Sequence, residues 1–110
     1  MENIRYEKIN DVYIYYLSGE IDETNADNIN KYIFSTFSGI KVIYDLGGLN
    51  YINSKFLGCL YEMFENTEKK SGIMYIVNCS KNIEDILDMA GIFKIILSAN
   101  TKEEALEKMK

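Results

Sequence analysis

The residues able to do chemistry concentrate in one stretch, Asp45-Leu46-Gly47-Gly48-Leu49-Asn50-Tyr51-Ile52-Asn53-Ser54-Lys55-Phe56-Leu57-Gly58. It reads as a strand, a glycine turn and the start of a helix, an order that can present free backbone N–H groups to an anion. The spacings Gly-x-x-x-x-Gly-Lys-Ser/Thr and Gly-x-Gly-x-x-Gly are both missing, so a nucleotide-binding loop is not expected. What remains is the hydroxyl of Ser54, placed where the helical pattern begins. Read locally, Ser54 is an N-cap whose oxygen accepts a backbone N–H, worth ~1 kcal/mol.

Nothing elsewhere in the chain would turn that hydroxyl into a nucleophile. Histidine is absent, which excludes imidazole general-base catalysis, His-activated Ser or Cys and His-bearing metal sites. Cys59 and Cys79 are the only cysteines; they form no Cys-x-x-Cys pair and match neither a zinc site nor a disulfide framework. Both read as small buried hydrophobes, so thiol enzymology is the weakest reading and neither a metal nor a cofactor is expected. With 12 basic and 17 acidic side chains, a formal charge of −5 leaves no field to collect nucleic-acid phosphates. Tyr13, Tyr15 and Tyr16 crowd one strand but lack the basic neighbours of a stacking platform. Strand packing and partner contact account for them, and an apolar edge there could support a dimer; the expectation is a monomer or a weak dimer.

These residues need a scaffold, and 110 residues at 47% hydrophobic and 26% charged suit a single globular domain over residues 1–110. Ile4 to Ile9 and Val12 to Leu17 read as paired strands about an Asn10-Asp11 turn. Ala26, Ile29, Ile33 and Phe37 recur at helical spacing, with Asp22 or Thr24 available as N-cap and Gly39 as the stop. Lys41 to Leu46 has the length and type of a buried central strand. Lys55 to Lys70 is an amphipathic helix with Phe56, Leu57, Leu60, Met63 and Phe64 inward, and Ile73 to Val77 is a further strand.

Ser80 or Asn82 opens a helix that buries Ile83, Ile86, Leu87 and Ala90 and stops at Gly91. Phe93 to Leu97 reads as a last strand, and Thr101-Lys102-Glu103-Glu104 as a capping box opening a final helix. The order β-β-α-β-α-β-α-β-α implies an α/β fold, a mixed and mostly parallel sheet covered by about four helices. The N-terminus lacks the basic head and apolar stretch of a secretion signal, and no apolar run reaches the ~20 residues that cross a bilayer. A cytoplasmic protein without membrane contact is expected.

Gly19-Glu20-Ile21-Asp22, Val42-Ile43-Tyr44-Asp45-Leu46, Asn53-Ser54-Lys55-Phe56-Leu57-Gly58, Ile83 and Asp88-Met89-Ala90-Gly91-Ile92-Phe93 together resemble the STAS domain family, specifically its small stand-alone anti-sigma-factor antagonists. That family's helix-initial motif looks like Asp-Ser-Ser/Thr-Gly-Leu-Gly, and its first serine lands on Ser54. Asn53 stands for the aspartate, Lys55 for the Ser/Thr and Phe56 for the glycine.

The resemblance implies a protein that is not an enzyme. Unphosphorylated, it would bind an anti-sigma factor that is itself a serine kinase and so free a sigma factor. Phosphorylation of Ser54 would release it, and a PP2C-type phosphatase would reset it. Asp22, Thr24, Asn53, Lys55 and Phe56 would form part of the contact surface, and Gly47 and Gly48 would shape the loop leading to it. Core packing is the favoured fate of the Phe56 ring, with a surface anchor as the other. The alternative within the fold is a STAS adaptor on a transporter or signalling assembly, not phosphorylated, which the changes at Asn53 and Phe56 favour.

Overall fold

The computed structural model describes residues 2–110. The chain opens with β1 (Ile4–Ile9) and β2 (Val12–Ile21), an antiparallel hairpin in continuous register from Ile4↔Leu17 to Ile9↔Val12. Asn10, at φ 55, takes the left-handed conformation that a two-residue hairpin turn demands and that Asn tolerates. Then follow α1 (Ala26–Thr36), β3 (Lys41–Ile52), α2 (Ser54–Lys69), β4 (Ile73–Val77), α3 (Lys81–Met89), a 3-10 turn over Ile92–Lys94, β5 (Leu97–Ala99) and α4 (Lys102–Lys108). The five strands lie in the order β1-β2-β3-β4-β5, with every pair after the hairpin parallel. The mixed, mostly parallel sheet and its four helices are as the sequence implies.

Three boundaries differ from expectation. First, β3 does not stop at Leu46. It continues beside β2 through Gly48↔Ser18 to Ile52↔Ile21, across two register shifts. Gly47 and Gly48 are therefore strand residues and not a loop, and a side chain at Gly48 would put its Cβ 2.9 Å from Ser18 Cβ and 3.0 Å from Leu17 O; glycine in a strand marks such a close approach.

Second, α1 starts after Asn25, and neither Asp22 nor Thr24 caps it. The Asp22 carboxylate instead accepts from the Thr24 backbone N–H (2.8 Å) and hydroxyl (2.6 Å), closing a local turn upstream of the helix. Third, Phe93–Leu97 is not the last strand. Gly91, left-handed at φ 76, leads into the 3-10 turn, where Lys94 N–H bonds to Gly91 O and Ile96 N–H to Ile92 O, and the strand begins only at Leu97. A short apolar run has no periodicity to tell these apart.

The caps of α3 and α4 follow the side-chain chemistry read from sequence. Ser80 accepts from Ile83 N–H and Thr101 from Glu104 N–H. Only the threonine half of the capping box forms, since the Glu104 carboxylate faces Lys108 at 3.3 Å.

Period-2 alternation sends side chains to both sheet faces. Tyr13, Tyr15, Leu17, Val42, Tyr44, Leu46, Met74 and Ile76 face the core built by α1, α2 and α3, while Val12, Ile14, Ile43, Tyr75 and Val77 face Ala105 and Met109 at the α4 end. Since β2 lies between β1 and β3, its tyrosines do not form an open edge. Tyr15 stacks on Tyr44 at 5.6 Å between centroids, and its hydroxyl meets Thr36 Oγ1 at 2.8 Å.

Burial pushes the Tyr15 phenol up to about 12 and Tyr44 well above the ordinary value. The folded state therefore holds these protons more tightly than the unfolded chain. The associated stability is present below the ordinary phenol value of 10.0 and is lost as pH rises toward about 12. Melting temperature should fall steeply over that window, and Tyr15→Phe, which removes one ionisation, should flatten the fall. A melting temperature level across the window would contradict this placement.

Candidate functional site

At their C-terminal ends β2 and β3 run past β4, whose pairing with β3 finishes at Val77↔Asp45. The two strands form a projecting ribbon, and both helices that leave it start at its tip. Asn53 N–H bonds to Ile21 O at 3.1 Å, tying the start of α2 to the residue before Asp22. A second tie is the ion pair of Lys55 Nζ on α2 with Asp27 Oδ2 on α1, at 2.8 Å. Asp22, Thr24, Asn53, Ser54 and Lys55, distant in sequence, thus share one rim.

Ser54 is not the N-cap. Asn53 is, with extended backbone (φ −100, ψ 173) and Oδ1 accepting from Phe56 N–H at 3.0 Å. Ser54 is the first helical residue and is exposed, its hydroxyl outside the cap. Asparagine does here what the aspartate of the resembling motif could do as an acceptor. Asn53→Ala should cost ~1 kcal/mol of stability, read from urea unfolding, and Asn53→Asp should restore it; equal stability of the alanine variant would refute the cap.

Phe56 corrects one member of the expected contact surface. Its side chain is 0% exposed and lies in the core with Leu60, Met63 and Ile83. As folded, the ring is unavailable to a partner and does not cover Ser54.

The electrostatics of the rim are one-sided. Asp22, Glu23 and Asp27 stand on the α1 side, and Lys55 is the cation paired with Asp27. The Asp22 carboxyl is held below the usual range by its two Thr24 hydrogen bonds, and Lys55 is held above the usual amine value by Asp27. The first turn of α2 has no acidic side chain, so the positive end of the helix dipole is uncompensated there.

Sequence reasoning missed Asp27, whose link to Lys55 spans 28 residues and leaves no local signal. It also missed Tyr51, 47% exposed on β3 next to the tip. Its position in the chemistry-bearing stretch was visible, but its exposure depends on how β3 extends. Nearby, Asn82 Nδ2 bonds to Asn50 O at 3.3 Å, joining α3 to the ribbon.

Among the described residues no group of three or more His, Cys, Asp or Glu could hold a metal ion, and no helix is long and apolar enough to cross a membrane. Cys59 is buried and Cys79 half-buried, both unpaired. Burial raises both thiols, Cys79 to about 12. Folded protein should therefore react slowly with a thiol reagent at neutral pH and rapidly in denaturant; prompt modification of the folded state would contradict the burial of both.

The STAS domain model matches residues 3–105. Over 101 residues the chain is 25% identical to the "Anti-sigma F factor antagonist" of Paenibacillus polymyxa, a match covering 89% of this chain and 86% of that one. The fold superimposes with TM-score 0.88 on an anti-sigma factor antagonist from Mycobacterium paratuberculosis, at 22% identity over 96% of this chain and 92% of that one. It also superimposes with TM-score 0.76 on the Bacillus cell fate determinant SpoIIAA in its phosphorylated form, at 19% identity over 97% and 99%. A domain match over nearly the whole chain, carried by the same sheet and helices, leaves one conclusion: this chain belongs to the STAS domain family.

Proposed function

We propose that this protein is an anti-sigma factor antagonist whose binding is switched at Ser54. The observation that carries the reading is an exposed Ser54 at the start of α2, released from capping duty by Asn53. Relatives named as anti-sigma factor antagonists support it, as does a structural neighbour known in a phosphorylated form. On this reading the unmodified rim binds an anti-sigma factor with serine kinase activity, Ser54 is that kinase's substrate, and a PP2C-type phosphatase resets the hydroxyl. Asp22, Thr24, Asn53 and Lys55 line the contact, with Tyr51 and Asp27 added to it. The protein acts by binding and is not itself an enzyme, contacts no nucleic acid and works in the cytoplasm.

The physical logic needs no large conformational change. A phosphoryl group at the first helical position meets free backbone N–H groups and the positive helix end, so the fold accommodates it. It also adds roughly −1.5 to −2 charges to a rim that already carries Asp22, Glu23 and Asp27. A contact formed with a neutral hydroxyl then faces repulsion or an undersolvated anion. Binding weakens while the domain stays folded.

The adaptor alternative drew on Asn53 and Phe56. One serves as cap and the other is buried, so neither side chain favours it. Incubation with the kinase-type anti-sigma factor and ATP, followed by peptide mass spectrometry, tests the reading. The expected result is a single phosphate on Ser54 and dissociation of the complex; an unmodified Ser54 in an intact complex would overturn it.

A further inference from the structure

We infer that this protein forms a symmetric dimer through β1, the long edge of the sheet, with β1 of a second copy lying antiparallel to it about a two-fold axis at Tyr6. β1 pairs only with β2, in unbroken register and without proline. The other edge, β5, has three residues. An unblocked edge of six residues is a template for another strand unless it is covered or charged against itself.

Hairpin geometry fixes which backbone groups are free. Ile9 and Val12 flank the two-residue turn, so their N–H and C=O groups face each other across the hairpin. Alternation then directs those of Arg5 and Glu7 toward β2 and those of Ile4, Tyr6 and Lys8 outward. An axis at Tyr6 sets Tyr6 against Tyr6 of the second copy and Ile4 against its Lys8, so every outward group of the strand finds a partner.

Charge selects this register. Arg5 and Glu7 are exposed and stand on the same face, on either side of Tyr6. Both are held over Tyr16, the Arg5 guanidinium 4.0 Å from the ring centroid and the Glu7 carboxylate accepting from the phenol. An axis at Tyr6 places each Arg5 opposite a Glu7. Moving it one residue either way opposes Arg5 to Arg5 or Glu7 to Glu7, and like charges directly opposite are destabilising. On the other face Tyr6, 39% exposed and packed on Tyr13 and Tyr15, meets its symmetry mate and continues the aromatic cluster across the axis. The charge that would oppose pairing, Lys8, lies over its own Tyr13 ring at 5.2 Å, opposite the apolar Ile4.

Sedimentation and light scattering over a concentration series test the inference. Wild type should show a reversible monomer–dimer equilibrium, Arg5→Glu and Glu7→Arg should each weaken it at least tenfold, and the double exchange should restore it. Tyr6→Cys should oxidise to a dimer cross-linked at that position, because hydrogen-bonded antiparallel partners bring Cα atoms to ~5.5 Å, within disulfide range; Lys8→Cys should not. A wild type that stays monomeric at its solubility limit would overturn the dimer. So would folded double-exchange protein that fails to recover it, or Tyr6→Cys that cross-links no better than Lys8→Cys. None of these residues lies on the Ser54 rim, so the outcome is independent of the switch.

Discussion

Ser54→Asp is expected to bind the anti-sigma factor about thirtyfold more weakly than wild type, a loss of about 2 kcal/mol, the low end of what an uncompensated charge costs in an interface. Ser54→Ala should bind as wild type does but no longer be released on incubation with ATP. The sign follows from the rim. Its acidic groups are Asp22, Glu23 and Asp27, and its cation, Lys55, is already engaged with Asp27 at 2.8 Å. A new carboxylate at position 54 gains from the helix N-terminus within its own chain, which keeps the domain folded, and it loses only where a partner must desolvate it. Isothermal titration with each variant, beside melting temperatures, separates the two effects. If Ser54→Asp bound within about twofold of wild type, the switch would not lie at this serine.

The second large effect is on folding. Phe56→Ala should destabilise the protein by about 3–5 kcal/mol, the cost of lost transfer energy and of the cavity left behind. Against the 5–15 kcal/mol of a typical domain, that leaves the variant marginal at best. Phe56→Leu should cost only about 1–2 kcal/mol and leave partner affinity unchanged, since the ring is 0% exposed. Urea unfolding reads the first statement and titration the second. A loss of affinity for well-folded Phe56→Leu would mean that the ring does reach the partner.

These two neighbours show why part of the site was legible and part was not. Apolar spacing along Phe56, Leu60 and Met63 announces a buried helix face, and the structure bears that out for the phenylalanine. Ser54 as a cap was the plausible local reading, because Asn53 and Ser54 are both good N-caps. The choice between them turns on where the helix begins, and Asn53 N–H bonding to Ile21 O settles that from another strand. Likewise, Gly47-Gly48 reads as a turn in isolation, yet pairing with β2 holds it extended as far as Ile52. Asp22 and Thr24 read as candidate N-caps of α1, but Asp22 accepts from the Thr24 N–H and hydroxyl instead, and the helix starts only after Asn25.

The sequence by itself determined what local chemistry and periodicity can carry. Alternating strand and helix patterns specified the α/β order, and the absence of histidine removed imidazole chemistry. The lack of a basic stripe set the expectation of no nucleic-acid partner, and the stretch from Asp45 to Gly58 supplied the candidate site. Only the tertiary structure decided which side chains meet. Asp27 reaches Lys55 across 28 residues, Tyr51 stands exposed at the ribbon tip, Phe56 is withdrawn into the core, and β1 is left as a free edge with Arg5 and Glu7 flanking Tyr6. The physical reason is common to all four. Periodicity reports which face of an element is apolar, a property of near neighbours in the chain, whereas contact between faces depends on strand order and register, which are set by the packing of the whole sheet.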